Sequence, residues 1–392
     1  MENKIGSNND KDAALVVGRI FFSVFFLEKV VYDETEYINK GESTMKVREL
    51  GITIGKLSPG DKNCITDIKG VSVGHVTLDY PLNDAGDAAC TGVTAILPHS
   101  GNLFREKVTA ASYVLNGFGK TTGLVQVDEL GVIESPIMLT NTFGVPNVAQ
   151  GTLEYLLEQN EEIGISTGTV NIVVGECNDS HLNSIRHFPV KPEHAVEAIQ
   201  RAKTDAVEEG AVGAGKGMVC FGYKGGIGSS SRIVEDKTGQ TYTVGCLVLS
   251  NFGKASEFST DRYKVTADNG ESTISPTDGS IIIVMATDAP LSSRQLKRVI
   301  KRCGIGLGRT GSHFSHGSGD IVIGFTTART VQHQFDGELE NRQQIREDHD
   351  VMNALFMAAA EATEEAILNS LSQATTTTGR NNNKVENYNF VE

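Results

Sequence analysis

Gly279-Ser280 is a peptide step at which a side-chain hydroxyl can attack the carbonyl just before it. Ser280 opens an apolar run, Ser280-Ile281-Ile282-Ile283-Val284-Met285-Ala286-Thr287-Asp288, directly after the polar turn-forming stretch Ser275-Pro276-Thr277-Asp278-Gly279. A glycine has no Cβ, so it tolerates strained dihedrals and lets a nucleophile come close to its carbonyl, as an N→O acyl shift requires. If that peptide breaks, Ser280 becomes a new N-terminus. It then holds a hydroxyl nucleophile and an α-amine base in one residue, because an α-amine titrates at roughly 7.7–8.0. Read blandly, the same dipeptide ends a turn and starts a strand, since short motifs recur by chance.

Two other stretches could carry chemistry. Arg309-Thr310-Gly311-Ser312-His313-Phe314-Ser315-His316-Gly317-Ser318-Gly319-Asp320 packs hydroxyls, two histidines and a carboxylate into one loop before a strand. It either lines a pocket with Ser280 as its partner or is solvated turn chemistry. Gly210-Ala211-Val212-Gly213-Ala214-Gly215-Lys216-Gly217 nearly spells a phosphate-binding P-loop. Gly217 supplies no hydroxyl for a magnesium ion, however, and the acidic lead-in Thr204 to Glu209 reads as helix where a hydrophobic strand belongs. A glycine-lined backbone beside a pocket, continued by Lys224 to Arg232, is the better reading. The cysteines at 64, 90, 177, 220, 246 and 303 form no C-x-x-C pair and have no histidine at ligand spacing, so no metal or redox site is expected. They read as reduced, buried thiols, which points to the cytoplasm.

The elements that must position these groups alternate along the chain. Strand-like runs fall at 65–77, 92–97, 132–139, 170–174, 244–250, 280–286 and 320–326, and helical ones at 145–159, 192–208, 292–301 and 351–369. Such alternation predicts a layered α/β fold. With 392 residues and 39% apolar content the chain can bury a large core. A net charge of −14, no tryptophan and no Lys/Arg-rich stripe argue against nucleic acid. The apolar patch within 13–31 is interrupted by Arg19 and falls short of the roughly 20 residues that span a bilayer, so no membrane partner is expected. Met45-Lys46-Val47-Arg48 reads as a fresh start. Residues 1–44 are therefore read as an extension outside the fold, and 45–392 as one domain. By composition alone the end, Thr375 to Asn383, would be a mobile tail.

Taken together, Ile65 to Thr77, Leu139 to Thr142, Gly210 to Arg232, Gly279 to Leu291, Ser318-Gly319-Asp320-Ile321 and Ala374 to Glu386 resemble the self-processing L-aminopeptidase/D-esterase and β-aminopeptidase family. The resemblance implies an αββα sandwich like that of the N-terminal-nucleophile hydrolases, with the strand connectivity of ornithine acetyltransferase, and an ordered tail. It implies autocleavage between Gly279 and Ser280 into 45–279 and 280–392, which stay together as a heterodimer and assemble further as a homo-oligomer. Ser280 would be the nucleophile, Ser318 and Asp320 would relay and orient the proton of its amine, and Asn251 would help bind the oxyanion. His181 stands where that family is expected to carry a tyrosine, which puts its oxyanion or substrate role in question. The implied activity removes one N-terminal residue, L-, D- or β-, from short peptides, amides or esters without a cofactor. An acyltransferase of the ornithine acetyltransferase type and a non-catalytic relic of the fold are the alternatives; the former carries threonine where this chain has Ser280.

Overall fold

A computed structural model describes residues 44–270, 272, 274 and 279–391. They belong to a compact unit running from Glu42 to Glu392. The apolar patch at 13–31, and all of the presumed extension except Thr44, lie outside the described residues.

Two sheets form the middle of the fold. The smaller has the order β1-β2-β5-β6, from Ser72–Pro81, Ala88–Leu97, Ile137–Asn141 and Val173–Cys177. The larger has the order β4-β3-β12-β11-β10-β9, from Val132–Ile133, Glu106–Gly117, Gly319–Gln332, Ser280–Thr287, Thr241–Asn251 and Gly226–Glu235. Short ribbons pair β7 (Val219–Cys220) with β8 (Tyr223–Lys224) and β13 (Thr377–Thr378) with β14 (Lys384–Val385). The helices are α1 (Leu124–Leu130), α2 (Val145–Gln159), α3 (Pro192–Gln200), α4 (Thr260–Tyr263), α5 (Ser293–Ile300), α6 (Cys303–Thr310) and α7 (Asp350–Ser372). Parallel pairing occurs where a helical crossover returns the chain: β5 to β6 through α2, and β11 to β12 through α5 and α6.

The period-2 pleat of β11 builds the layers. Ile282, Val284 and Ala286 join Leu139, Val173 and Cys177 in the core between the sheets, whereas Ile281, Ile283 and Met285 join α5, α6 and α7 on the other side. The outer face of the smaller sheet, with Val76, Val93 and Val174, is covered by Val148 of α2 and Ala198 of α3. The result is the αββα sandwich that the family resemblance implies. Among the described residues no helix is long and apolar enough to cross a membrane.

Several elements depart from the sequence reading for identifiable reasons. The run 132–139 is two strands in different sheets, split where Pro136 has no N–H to continue a ladder. Ile65–Asp67 is a single 3₁₀ turn ahead of β1 rather than a strand. The helix expected over 192–208 stops at Gln200, because Lys203 exchanges two backbone hydrogen bonds of 3.0 Å with Val73. The glycine-rich stretch includes the start of β9. There a Cβ on Gly228 would sit 1.9 Å from the carbonyl oxygen of Ala366, so the absence of a side chain is what lets α7 lie on the strand. The polar tail is ordered, with Val385 fully buried.

Candidate active site

Ser280 is the first residue of β11, an inner strand of the larger sheet, and only 4% of its surface is exposed. In the uncut chain its Oγ donates a 2.7 Å hydrogen bond to the Gly279 carbonyl oxygen. The Gly319 N–H is shared between Ser280 Oγ (3.2 Å) and that same carbonyl oxygen (3.3 Å). Hydroxyl, target carbonyl and a backbone donor able to stabilise negative charge on its oxygen thus converge on one peptide bond.

That peptide bond lies between two cavities. Ser280 lines one of about 400 Å³, and Gly279 and Ser318 line another of about 280 Å³; Gly317 borders both. The hydroxyl loop identified from sequence supplies much of the second wall through Ser312, Ser315 and His316. Asn116 of β3 pins the loop by donating to the carbonyls of Ser315 and His316 at 3.0 and 3.2 Å, and also to that of Ser318.

Gly279 is needed for close approach. A Cβ there would lie 3.0 Å from Phe252 Cα and 3.4 Å from the Asn251 carbonyl oxygen, both backbone atoms that cannot rotate away. If Ser280 attacks this carbonyl as the sequence leads one to expect, Gly279→Val should slow the appearance of cut chains at least about tenfold, since misplacing a reacting group by an ångström costs about that much or more. A gel time course checks this, and native-rate processing contradicts it.

Ser318 and Asp320 form a pair, with Ser318 Oγ donating to Asp320 Oδ1 at 2.6 Å. In the parallel register Asp320 is level with Ile281, and Ser280 with Gly319. Since Ile281 belongs to the helix-side core and Ile282 to the core between the sheets, the pleat directs Asp320 and the Ser280 side chain to opposite faces. The pair can therefore address the amine of Ser280 rather than its hydroxyl. Burial pushes the Asp320 carboxyl up to about 6, against the pull of the Ser318 hydrogen bond, and Asp320 Oδ2 is buried without a partner among the described residues.

Asn251 ends β10 directly opposite Ser280. Its Oδ1 accepts from the Val219 N–H at 2.8 Å and its Nδ2 donates to the Asn178 carbonyl at 3.0 Å, which fixes the amide with one N–H to spare. The fully buried Lys224 supports this arrangement. Its Nζ donates to the carbonyls of Gly215, Met218 and Gly225 at 2.7–2.9 Å, tying down the backbone that precedes Val219. Lys216 of the P-loop-like stretch instead pairs with Asp79 at 2.7 Å.

His181 follows Asn178 and Ser180, which line the cavity of Ser280. Its own carbonyl accepts from Asn383 Nδ2 at 2.8 Å, and burial together with the Arg380 charge holds its imidazole below the ordinary histidine range. Sequence reasoning missed Glu176. This β6 carboxylate is only 2% exposed, lines the cavity of Ser280 and accepts from the Lys120 N–H at 2.8 Å and from Thr142 Oγ1. The one available signal was an acidic residue at the end of the apolar run beginning at Val170.

A model of peptidase family S58 matches residues 63–385. The β-peptidyl aminopeptidase BapA of Sphingosinicella microcystinivorans is 41% identical over 356 residues, covering 86% of this chain and 87% of that protein. Among solved structures, the PH0078 protein of Pyrococcus horikoshii has a TM-score of 0.80 at 50% identity, covering 88% of this chain and 96% of that one. The L-aminopeptidase D-Ala-esterase/amidase of Ochrobactrum anthropi, a variant of the N-terminal-nucleophile hydrolase fold, has a TM-score of 0.78 at 30% identity over 88% of this chain and 96% of that one.

Proposed function

This chain belongs to peptidase family S58 and is a serine aminopeptidase; on that premise we propose that it cuts itself between Gly279 and Ser280 and then uses Ser280 to release single N-terminal residues. The observation that carries the reading is the hydroxyl of Ser280, 2.7 Å from the Gly279 carbonyl oxygen and facing a cavity that also holds Glu176.

In the self-cutting step Ser280 Oγ bonds to the Gly279 carbonyl carbon, the C–N bond breaks, and the hydroxyl proton passes to the nitrogen. Water then hydrolyses the ester, leaving a Gly279 carboxylate and a Ser280 amine. In turnover the substrate ammonium pairs with Glu176. Ser280 Oγ attacks the first carbonyl, Asn251 donates its spare N–H to the oxyanion, and the Ser280 amine carries the proton to the leaving nitrogen. Removing one such oxyanion donor costs about 3–4 kcal/mol of transition-state stabilisation. Water releases the acyl group. Ser318 and Asp320 orient the amine; His181 is not among the residues lining the cavity and is felt there only through the Arg380 charge that opposes its protonation.

The relatives' names supply the substrate range: β-peptides for one, L-amino-acid derivatives and a D-alanyl ester for another. The acting enzyme would be the heterodimer of 45–279 and 280–392, itself assembled into an oligomer. Val47, fully buried with its N–H 3.0 Å from Asn369 Oδ1, supports a domain beginning at Met45. Six buried cysteines, each a free thiol, support a reducing, cytoplasmic setting.

Turnover of an aminoacyl amide should fall twice as pH is lowered. The first fall follows protonation of the Ser280 amine, which must be neutral to accept a proton, at roughly 7.7–8.0. The second follows neutralisation of Asp320 at or below about 6, because the new ammonium beside it favours the ionised carboxylate. The slope of log kcat/KM against pH therefore steepens on the acid side, and Asp320→Asn should remove the steeper part. No turnover at any pH contradicts the activity, and a steep limb surviving in Asp320→Asn contradicts the role of that residue.

A further inference from the structure

The cavity of Ser280 has an unbalanced charge. Its acidic group is Glu176, whose oxygens accept from Lys120 N and Thr142 Oγ1. Lys120, Arg186 and Arg380 line the same cavity, and none of the three makes an ion pair with a carboxylate among the described residues. The Lys120 ammonium lies over the Phe118 ring, 4.3 Å from its centroid. Arg380 is the most telling of the three, because its Nε is buried and has no hydrogen-bond acceptor among the described residues. A buried guanidinium donor left unmet is costly unless something arrives to accept from it.

The backbone around Arg380 is held firmly. It sits on a 3₁₀ turn, Arg380–Asn382, between β13 and β14 in the polar tail. Its N–H donates to the Leu182 carbonyl at 2.7 Å, and a Cβ on the preceding Gly379 would lie 2.1 Å from that same oxygen. The tail is thus clamped onto the loop that follows β6, the strand carrying Glu176. The field of the guanidinium reaches His181, whose protonation it opposes.

We propose that Arg380, assisted by Arg186, binds a carboxylate of the substrate, so that the preferred substrates are zwitterions with an ammonium at Glu176 and a carboxylate at the arginines. A guanidinium fork matches a carboxylate with two parallel hydrogen bonds, and the low-dielectric wall strengthens them. That carboxylate has two possible sources: the free C-terminus of a short peptide, or an acidic side chain on the residue being released. Both pair an ammonium and a carboxylate within the one cavity that Glu176, Arg186 and Arg380 line. The proposal rests on Ser280 being the nucleophile of this cavity.

The test measures kcat/KM on two matched pairs. The first is alanyl-alanine against alanyl-alanine amide, and the second is the p-nitroanilide of aspartate against that of asparagine. The native enzyme should prefer the acid member of one pair by about tenfold or more, the scale of a charge-assisted hydrogen bond. The pair that shows it identifies the source. Arg380→Met should bring that ratio to about one, and Arg380→Lys should keep part of it. If Arg380→Met does not fold, Arg380→Gln, which keeps a polar side chain without the charge, must bring the ratio to about one instead. Ratios near one in both pairs, or a ratio that survives Arg380→Met or Arg380→Gln, overturn the proposal. A native enzyme inert on all four substrates instead removes the assignment of Ser280, and this proposal with it.

Discussion

Ser280→Ala should leave the chain in one piece and lower turnover by about six orders of magnitude, the scale seen when a serine nucleophile is removed from a hydrolase. Both effects have one source. The hydroxyl that stands 2.7 Å from the Gly279 carbonyl oxygen also lines the cavity proposed to take the substrate. Ser280→Cys separates the two roles. A thiol can perform the same acyl shift, so this variant should cut itself while differing from serine in turnover. Denaturing gels and a steady-state assay on each variant check the expectation. Cleavage of Ser280→Ala at the native rate would exclude the acyl shift from Ser280.

Glu176→Gln should lower kcat/KM for free-amine substrates by roughly two orders of magnitude, mostly through KM. Breaking a desolvated pair between opposite charges costs about 2–5 kcal/mol. Glutamine keeps one oxygen to accept from Lys120 N–H, and its Nε2 can donate to Thr142 Oγ1 once that hydroxyl turns to accept, so the wall of the cavity should stand. What disappears is the negative charge that receives the substrate ammonium. The comparison is each aminoacyl amide with its N-acetylated counterpart. The native enzyme should favour the free amine strongly and Glu176→Gln should not. A preference unchanged by the substitution would move the amine-binding role to another residue.

The parts of this fold written in local sequence were readable before the structure. The apolar run from Ser280, flanked by turn formers, marked the inner strand, and α2 and α7 stood out by length and periodicity. Ser280, Ser318 and Asp320 were legible because two short segments carry them and adjacent strands bring those segments side by side. Other features depend on partners distant in sequence. β9 hides in a run of glycines and serines, whose small size only makes sense once α7 lies on top. Helix α3 ends early because Lys203 pairs with Val73 across the fold. Glu176 and Arg380 are 204 positions apart and meet at one cavity only after the tail folds back on the loop following β6. No local pattern announces such a meeting.

Intact-mass analysis with N-terminal sequencing of purified, active protein tests the central claim most directly. Two polypeptides are expected, one ending at Gly279 and the other comprising the 113 residues from Ser280 to Glu392 with serine as its first residue. Active material consisting only of the uncut chain, or cut at another bond, would contradict it.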